Sequence, residues 1–401
     1  ARHRMMLSSP KPLSQESILL VAEYYPIGGT RTYVKQLLDF YHRMGASVTL
    51  VTTLDEDDSE IEQLASSMRF ELVTYAQITS KSKLKQPSVW SPLSFMRERH
   101  AFREFVKTRD FTRVVVSAGT PGLLLGALNS GPRAMYVLHT YPHGRRQALL
   151  ARPFLSRRIP KDSNIVCVST FQQDIVQRLW RTERRGVQSP VIANTCGAEL
   201  HCEPTPSVAS PKQVLTAAMV EDYKQPLKWI EVAAQVSHRM GRDHVRFVWI
   251  GDGSLLDEAR VAAASVSDFA DIRFLGRIAS PETFYRSSHL YFQYSIIENM
   301  SIAVIDALRH GLPAVVTNVG ALPEIVSDGQ QGYVVSSSDE DEAVGAIQTL
   351  LIDDVKWSHL SASAKRRYQT EFSQERWDLA MMRLHSWRGG KPVSIREGST
   401  P

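Results

Sequence analysis

Two carboxylates eight residues apart, Glu298 and Asp306, stand in the stretch YSIIENMSIAVIDALRHGLP, from Tyr294 to Pro313. The residues before them are apolar and read as a buried strand. Those after Ser301 repeat their apolar positions at helical spacing. Glu298 therefore opens a turn, and Asp306 lies inside the helix that follows. Eight residues of helix rise about 12 Å, too far for two acids to share one proton. At that distance they suit the two ends of one elongated ligand. The backbone N–H groups of Asn299, Met300 and Ser301, at the helix start, would face an anion between them. A sugar at Glu298, a diphosphate at the helix start and a ribose at Asp306 fit this geometry. The alternative is structural: an acid near the helix start offsets its dipole, and Asp306 sits on a solvated face. Spacing alone leaves both open.

Four other places carry chemistry. Gly28 and Gly29 precede a helix, where glycine lets backbone approach a phosphate and the helix start adds its dipole. His139 ends the apolar run AMYVLH, placed to meet a ligand or to bond backbone. Lys224, in DYKQPLKW, is a compact countercharge for phosphate or a solvated loop lysine. Gly251 and Gly253, in WIGDGSL, make a tight turn at a strand end. As a dinucleotide fingerprint this last motif fails, because Leu256 occupies the third glycine position and no acid closes the next strand.

The elements that must position these residues form two α/β series. In the first, the strand SILLVAEYY, a helix ended by Gly45 and the strand ASVTLVTT make a βαβ unit, so a parallel sheet is expected. Strands at VVVSAG, AMYVLH and NIVCVS continue it. A Pro- and Ser-rich stretch near Glu199 to Pro211 reads as a linker. The second series runs through QVLTAAM, VRFVWIG, DIRFLG, LYFQYS, PAVVTN and GYVVS, with helices between. The expected class is α/β, with two doubly wound Rossmann-like domains facing across a cleft and ligands at the carboxyl ends of the strands. The expected boundaries are a basic flexible tail over 1–16, an acceptor-side domain over 17–200 and a donor domain over 201–373. A C-terminal helix over 374–388 crosses back, and a disordered tail occupies 389–401.

Composition narrows the class. With 401 residues and 43% hydrophobic content, the chain can bury full-sized cores and is neither a disordered chain nor a disulfide miniprotein. Cys167, Cys196 and Cys202 form no CxxC pair, which disfavours a disulfide framework or structural zinc and suits a reducing compartment. No apolar run nears the roughly 20 residues of a membrane helix. The net charge, +5 from 47 basic and 42 acidic residues, is too mild for a protein that coats nucleic acid. It is also uneven. Arg145 to Arg185 holds ten basic residues, Arg145, Arg146, Arg157 and Arg158 among them, against three acids. A second cluster places Lys83 and Lys85 beside Trp90 and Phe95. Both clusters suit an anionic membrane, an anionic acceptor or a plain solvated face.

The Tyr294 to Pro313 stretch, with GALPEIVSDGQQGYVV (Gly320 to Val335) downstream, resembles the donor-binding signature of retaining GT-B glycosyltransferases. These are the large glycogen-synthase-like, sucrose-synthase-like and mannosyltransferase enzymes, glycosyltransferase family 4-like. The resemblance runs from about Ser17 to Trp387. It implies transfer of a sugar from a UDP- or GDP-linked donor to a glycan, lipid-linked or other small acceptor. It also implies retention at the anomeric carbon and no metal or other cofactor. By the resemblance, Glu298 holds donor-sugar hydroxyls, Lys224 the diphosphate, Asp306 the ribose, and His139 lines the sugar pocket. PIGGTRTYV resembles the family's Gly-rich first loop, and Gly251, Gly253, Gly276 and Arg277 fall at its nucleotide-side turns. A cytoplasmic protein, membrane-associated on that face, is the matching location, and nucleic acid is not an expected partner.

Two departures stand out. The family's second glutamate is Asp306, shorter by about 1.5 Å of reach. Its arginine, five residues before the lysine, is Met219, with Arg277 and Lys228 as candidate replacements. The rival readings are a nucleotide-sugar epimerase of the same fold and a weak or non-catalytic binding subunit. A third is a nucleic-acid-modifying transferase, which predicts steeply salt-dependent duplex binding.

Overall fold

The computed structural model describes residues 13–23, 28–53, 59–79, 92–119, 124–128, 130–131, 133–141, 163–182, 187–197 and 211–386. They fall into two units. The first runs to Ile192 and resumes at Trp377; the second is Ala193–Arg376.

The first unit holds β1 (Ser17–Ala22), β2 (Ser47–Thr52), β3 (Glu71–Thr74), β4 (Arg113–Ala118), β5 (Ala134–Leu138) and β6 (Asn164–Cys167). They form one parallel sheet in the order β3-β2-β1-β4-β5-β6. The second unit holds β7 (Lys212–Ala217), β8 (Val245–Ile250), β9 (Asp271–Gly276), β10 (Leu290–Gln293), β11 (Ala314–Thr317) and β12 (Gly332–Val335). Their order, β9-β8-β7-β10-β11-β12, repeats the winding of the first sheet. Helices on both faces bury such sheets, so their strands are near-continuous apolar runs. Ile18 to Ala22 and Val114 to Val116 are fully buried. In each sheet the winding reverses, between β1 and β4 and between β7 and β10. The carboxyl ends of those strands flank a crevice suited to a ligand.

Helix Gly29–Arg43 follows β1 and buries Tyr33, Leu37 and Tyr41 at four-residue spacing beside Val34 and Leu38. It stops before Gly45, whose φ of 75° continues the chain into β2. Helix Gln374–Ser386 completes the same core. Trp377 meets Tyr33 and Phe40 edge-on, with ring centroids 5.8 and 5.5 Å apart. Arg43 grips Asp378 through two nitrogens at 2.6 and 3.0 Å, and Tyr41 Oη lies 3.1 Å from His385 Nε2.

Two boundaries and one side chain differ from the sequence expectation. The first unit ends near Ile192 rather than residue 200, because Asn194 Nδ2 donates to the Met300 carbonyl at 2.7 Å and the Tyr368 hydroxyl donates to the Gly197 carbonyl. Both bonds fasten the connecting segment to the second unit. The expected loose tail is ordered from Leu13 on, since Leu13 N–H donates to Met44 O at 2.9 Å and Ser47 N–H to Glu16 O at 3.0 Å. Phe95, read beside the basic cluster as a surface aromatic, is fully buried in the core. The Pro/Ser-rich linker, the C-terminal tail and Arg145, Arg146, Arg157, Arg158, Lys83, Lys85 and Trp90 lie outside the described residues.

Candidate functional site

The loops after β7 and β10, on either side of the second sheet's reversal, bring Lys224 and Glu298 together. Lys224 ends a short 3-10 turn, Asp222–Lys224, and Glu298 sits in the loop that precedes helix Ile302–Arg309. The Lys224 ammonium donates directly to Glu298 Oε2, and the two side chains are only 10% and 15% exposed. Gln293 Nε2 donates to the same oxygen at 2.7 Å. Asn299 N–H donates to Glu298 Oε1 at 3.1 Å. Ile296 N–H donates to the Tyr223 carbonyl at 2.9 Å and ties the two loops.

The floor of the Glu298 loop is Gly320, which follows β11. A Cβ there would stand 1.7 Å from the Glu298 carbonyl oxygen, and its φ is 55°. Only glycine tolerates both the approach and the left-handed backbone. The same closeness explains the turn after β8. A Cβ on Gly251 would lie 1.8 Å from Ala218 O, and one on Gly253 2.4 Å from Val220 O. These glycines seat the turn on the loop that carries Met219. Glu221 then accepts from Ser254 N–H at 2.9 Å and from its hydroxyl at 2.6 Å.

The expected anion site shifts by sequence position. The helix begins at Ile302, with Ser301 as its cap accepting from Val304 N–H at 3.4 Å. Asn299, Met300 and Ser301 are therefore buried loop residues, and the Asn299 N–H turns onto its neighbour's carboxylate. The β-region backbone of Ser301 prevents an earlier helix start. The leading N–H groups of the helix proper are those of Ile302 and Ala303.

Asp306 lies in a separate cluster. Arg309 Nη1 donates to its Oδ1 at 3.1 Å, and His310 Nδ1 lies 3.4 Å from the same oxygen. The Cys196 thiol is pushed well up by burial and then by the Asp306 charge. Met219, where the family carries arginine, lies 3.9 Å through its sulfur from the Tyr223 hydroxyl. That hydroxyl is raised to about 12, by burial first and then by the Glu298 and Glu221 charges. Of the two candidate replacement cations, Lys228 is committed elsewhere, to Glu340 at 2.6 Å and Glu231 at 3.0 Å. Arg277, exposed after the edge strand β9, is separated from β7 by β8.

In the first unit, Gly28 caps its helix with φ 114°, and Gly29 opens it. His139 follows β5. Its Nε2 lies 2.9 Å from Ser117 Oγ on the adjacent β4, and Tyr33 packs edge-on to it with centroids 4.6 Å apart. Burial lowers its pKa to about 4, so the ring is neutral at pH 7.

Sequence reasoning missed Gln293, Tyr291, Ser117 and Glu221. Gln293 left one signal: a lone amide inside the apolar run LYFQY, which a buried strand tolerates only with full hydrogen bonding. Among the described residues no three His, Cys, Asp or Glu side chains converge as metal ligands, and no helix is long and apolar enough to cross a membrane.

Known proteins share this architecture. A glycosyltransferase from Rickettsia africae superimposes with a TM-score of 0.72 at 13% identity, covering 92% of this chain and 99% of its own. The Anabaena protein HepE in complex with UDP does so at 0.68 and 16% identity, with the same coverage. Two units of this winding with these neighbours define the GT-B fold. Residues 27–190 match "Glycosyltransferase Family 4" and residues 211–353 match "Glycosyl transferases group 1". The chain is thus a GT-B glycosyltransferase of the family 4-like group, with one family domain in each unit. A phosphatidyl-myo-inositol mannosyltransferase of Mycobacterium leprae is 23% identical over 352 residues, 85% of this chain and 89% of the relative. The lipopolysaccharide core biosynthesis mannosyltransferase LpcC of Rhizobium leguminosarum bv. viciae is 30% identical over 159 residues, 40% of this chain and 42% of the relative.

Proposed function

We propose that this glycosyltransferase moves a sugar from a UDP- or GDP-linked donor to a lipid-linked or anionic glycan acceptor, with retention at the anomeric carbon. The observation that carries the reading is the Lys224–Glu298 pair at the winding reversal of the second sheet. Bond cleavage leaves a nucleoside diphosphate, and Lys224 supplies a cation for its developing charge. The N–H groups of Ile302 and Ala303 add the helix-start dipole. Glu298, aligned by Gln293 and Asn299, accepts hydrogen bonds from donor-sugar hydroxyls. Asp306 takes the ribose, and His139 is the first unit's candidate for a sugar contact. A neutral imidazole at pH 7 gives His139 a hydrogen-bonding role rather than a charge. Attack comes from the face of the departing diphosphate, whose oxygen accepts the acceptor's proton.

The lipid acceptor rests on the outer face of helix Pro92–Lys107. Leu93 and Met96 there are 69% and 60% exposed, beside exposed Arg97, His100 and Arg103. Apolar residues among cations suit an anionic bilayer. The mycobacterial relative is named for a phosphatidylinositol acceptor, which agrees with this choice.

The test is a panel of UDP- and GDP-sugars, read by thermal shift and by donor hydrolysis or transfer. Binding of one donor with slow hydrolysis, abolished in Glu298→Ala, is expected. A folded protein that binds none of them overturns the reading. Met219 supports a second reading, a subunit that binds nucleotide sugar without turnover. Binding with no hydrolysis or transfer to any acceptor, unchanged in Lys224→Ala, would select it.

A further inference from the structure

Gln293 is 1% exposed at the end of β10, and every polar atom of its amide is engaged. Its nitrogen donates to Glu298 Oε2 at 2.7 Å and to Ser295 Oγ at 3.2 Å. Its oxygen accepts from the Ser301 hydroxyl at 3.2 Å and from the Tyr291 hydroxyl at 3.3 Å. Tyr291 Oη is itself held by β7, accepting from Ala217 N–H at 3.3 Å and lying 3.2 Å from Ala217 O, so that its one proton is shared between that carbonyl and Gln293. The acceptor-only carboxylate of Glu298 takes the nitrogen end of the amide, and the Ser301 and Tyr291 hydroxyls meet the oxygen end. The buried strand in this way hands a single N–H donor to the carboxylate.

Lys224 alone cannot set that carboxylate. An ammonium on a four-carbon stem is a near-isotropic point charge, and during turnover it is the group asked to turn toward phosphate. Gln293 has no such second task and no room to move. We propose that Gln293 is the positioning residue for Glu298, holding Oε2 in place when Lys224 shifts to the diphosphate, so that Oε1 stays aimed at the donor sugar. This rests on the role given to Glu298 above. It adds that the aim of Glu298 comes from the strand beneath it rather than from its ion pair.

The experiment compares Gln293→Met, Gln293→Glu and Tyr291→Phe in the full chain, with UDP-glucose and GDP-mannose as donor probes and UDP and GDP as bare nucleotides. Loss of one hydrogen bond to a carboxylate predicts a fall in kcat/KM of about 10- to 100-fold for Gln293→Met. Bare-nucleotide affinity should stay within about twofold of the unmodified chain, since the hydrogen bonds of Gln293 go to Glu298, Ser295, Ser301 and Tyr291 and not to Lys224, Ile302 or Ala303. Gln293→Glu carries the sharper readout. Two carboxylates at that separation repel unless one holds a proton, and the introduced carboxyl, once protonated, can donate as the amide does. The activity of Gln293→Glu should therefore recover as pH falls, in a site where Lys224 also faces Glu298 and the buried Tyr291 and Tyr223 hydroxyls stay neutral, whereas Gln293→Met should not recover. Tyr291→Phe, which removes one anchor of the amide, should give a smaller fall of the same kind.

A folded Gln293→Met with kcat/KM within twofold of the unmodified chain overturns the proposal. So does a Gln293→Glu with no recovery in acid, or a loss of bare nucleotide binding in parallel with turnover, which marks a packing role. If Gln293→Met fails to fold, the Gln293→Glu pH profile decides alone. A fully active Glu298→Ala removes the underlying reading instead.

Discussion

Adding one methyl group beneath the site should disable it. Replacing Gly320 by alanine puts a Cβ 1.7 Å from the Glu298 carbonyl oxygen, and 3.0 Å is the closest approach real Cβ atoms make. The Glu298 backbone must therefore retreat by about 1.3 Å, the difference between those distances. The loop cannot absorb this by bending upstream, because Ser295 N–H and carbonyl are both bonded to Thr317 Oγ1, at 3.0 and 2.7 Å. Misplacement of a positioning group by about 1 Å costs on the order of 100-fold in rate. The left-handed φ adds about 1–2 kcal/mol of folding strain. Gly329 supplies the control, since its φ of 70° imposes the same strain while a Cβ there meets nothing within 4 Å. Steady-state donor hydrolysis and thermal denaturation should separate the two. Gly320→Ala should lose about 100-fold in kcat/KM, and Gly329→Ala should lose stability only. Equal activities in the two variants would refute the claim that Gly320 sets the height of Glu298.

Other outcomes follow from the same geometry. Lys224→Met strands a mostly buried carboxylate and should lower stability by roughly 3 kcal/mol by denaturant titration, with turnover down at least about 100-fold. Asp306→Asn should weaken UDP or GDP binding by about tenfold in calorimetry, while Asp306→Glu, which restores the longer acid, should hold or improve it. His139 has its pKa lowered to about 4 by burial, against about 6.5 unfolded. The unfolded chain binds the extra proton in that window, so stability is full above pH 6.5 and falls as pH drops toward 4, by roughly 3 kcal/mol at most. His289, lowered likewise to about 4, adds to the slope, and His139→Gln should make it shallower in unfolding curves at stepped pH. Leu93→Asp with Met96→Asp should reduce sedimentation with anionic vesicles, but not with neutral ones, and leave Tm within about 2 °C, because both side chains are exposed.

Most of the sheet strands are legible in the sequence because a strand buried on both faces must be apolar throughout, and short β-branched runs such as ASVTLVTT have no competing helical period. Four-residue β3 escapes notice for the opposite reason: its ELVT sequence is half-exposed at a sheet edge. Helix Pro92–Lys107 is hidden by its charges, which hold its outer face while Phe95 and Phe102 turn inward. Helices Glu340–Ile352 and Asp354–Arg367 follow capping aspartates, Asp339 and Asp353, but lie beyond the motifs that carry chemistry. In the site, Glu298 and Lys224 stand out as residue types in a recognisable order, and the fold brings them into contact. The helix starts at Ile302, where the apolar spacing puts it, but nothing in ENMS announces the extended backbone that makes Ser301 the cap and turns the Asn299 N–H onto Glu298. Ser117 acts on His139 across adjacent strands, a neighbourhood set by strand order, which no local pattern carries. Gln293 acts on the loop that follows its own strand, whose path back over the strand end is likewise unannounced by the local sequence.

Helix Gln374–Ser386 has a consequence for how the protein is made. The N-terminal unit is written in two pieces, with the whole of Ala193–Arg376 translated between them. On the ribosome, Tyr33, Phe40 and Tyr41 emerge without Trp377, Met381 and Leu384, the side chains that finish their core. The usual order of folding during synthesis, N-terminal domain first, is thereby reversed. The second unit is complete in itself and can close while the first still waits for helix Gln374–Ser386. A nascent or prematurely stopped polypeptide lacking that helix therefore presents an open apolar face on its first unit, where a chaperone would find it.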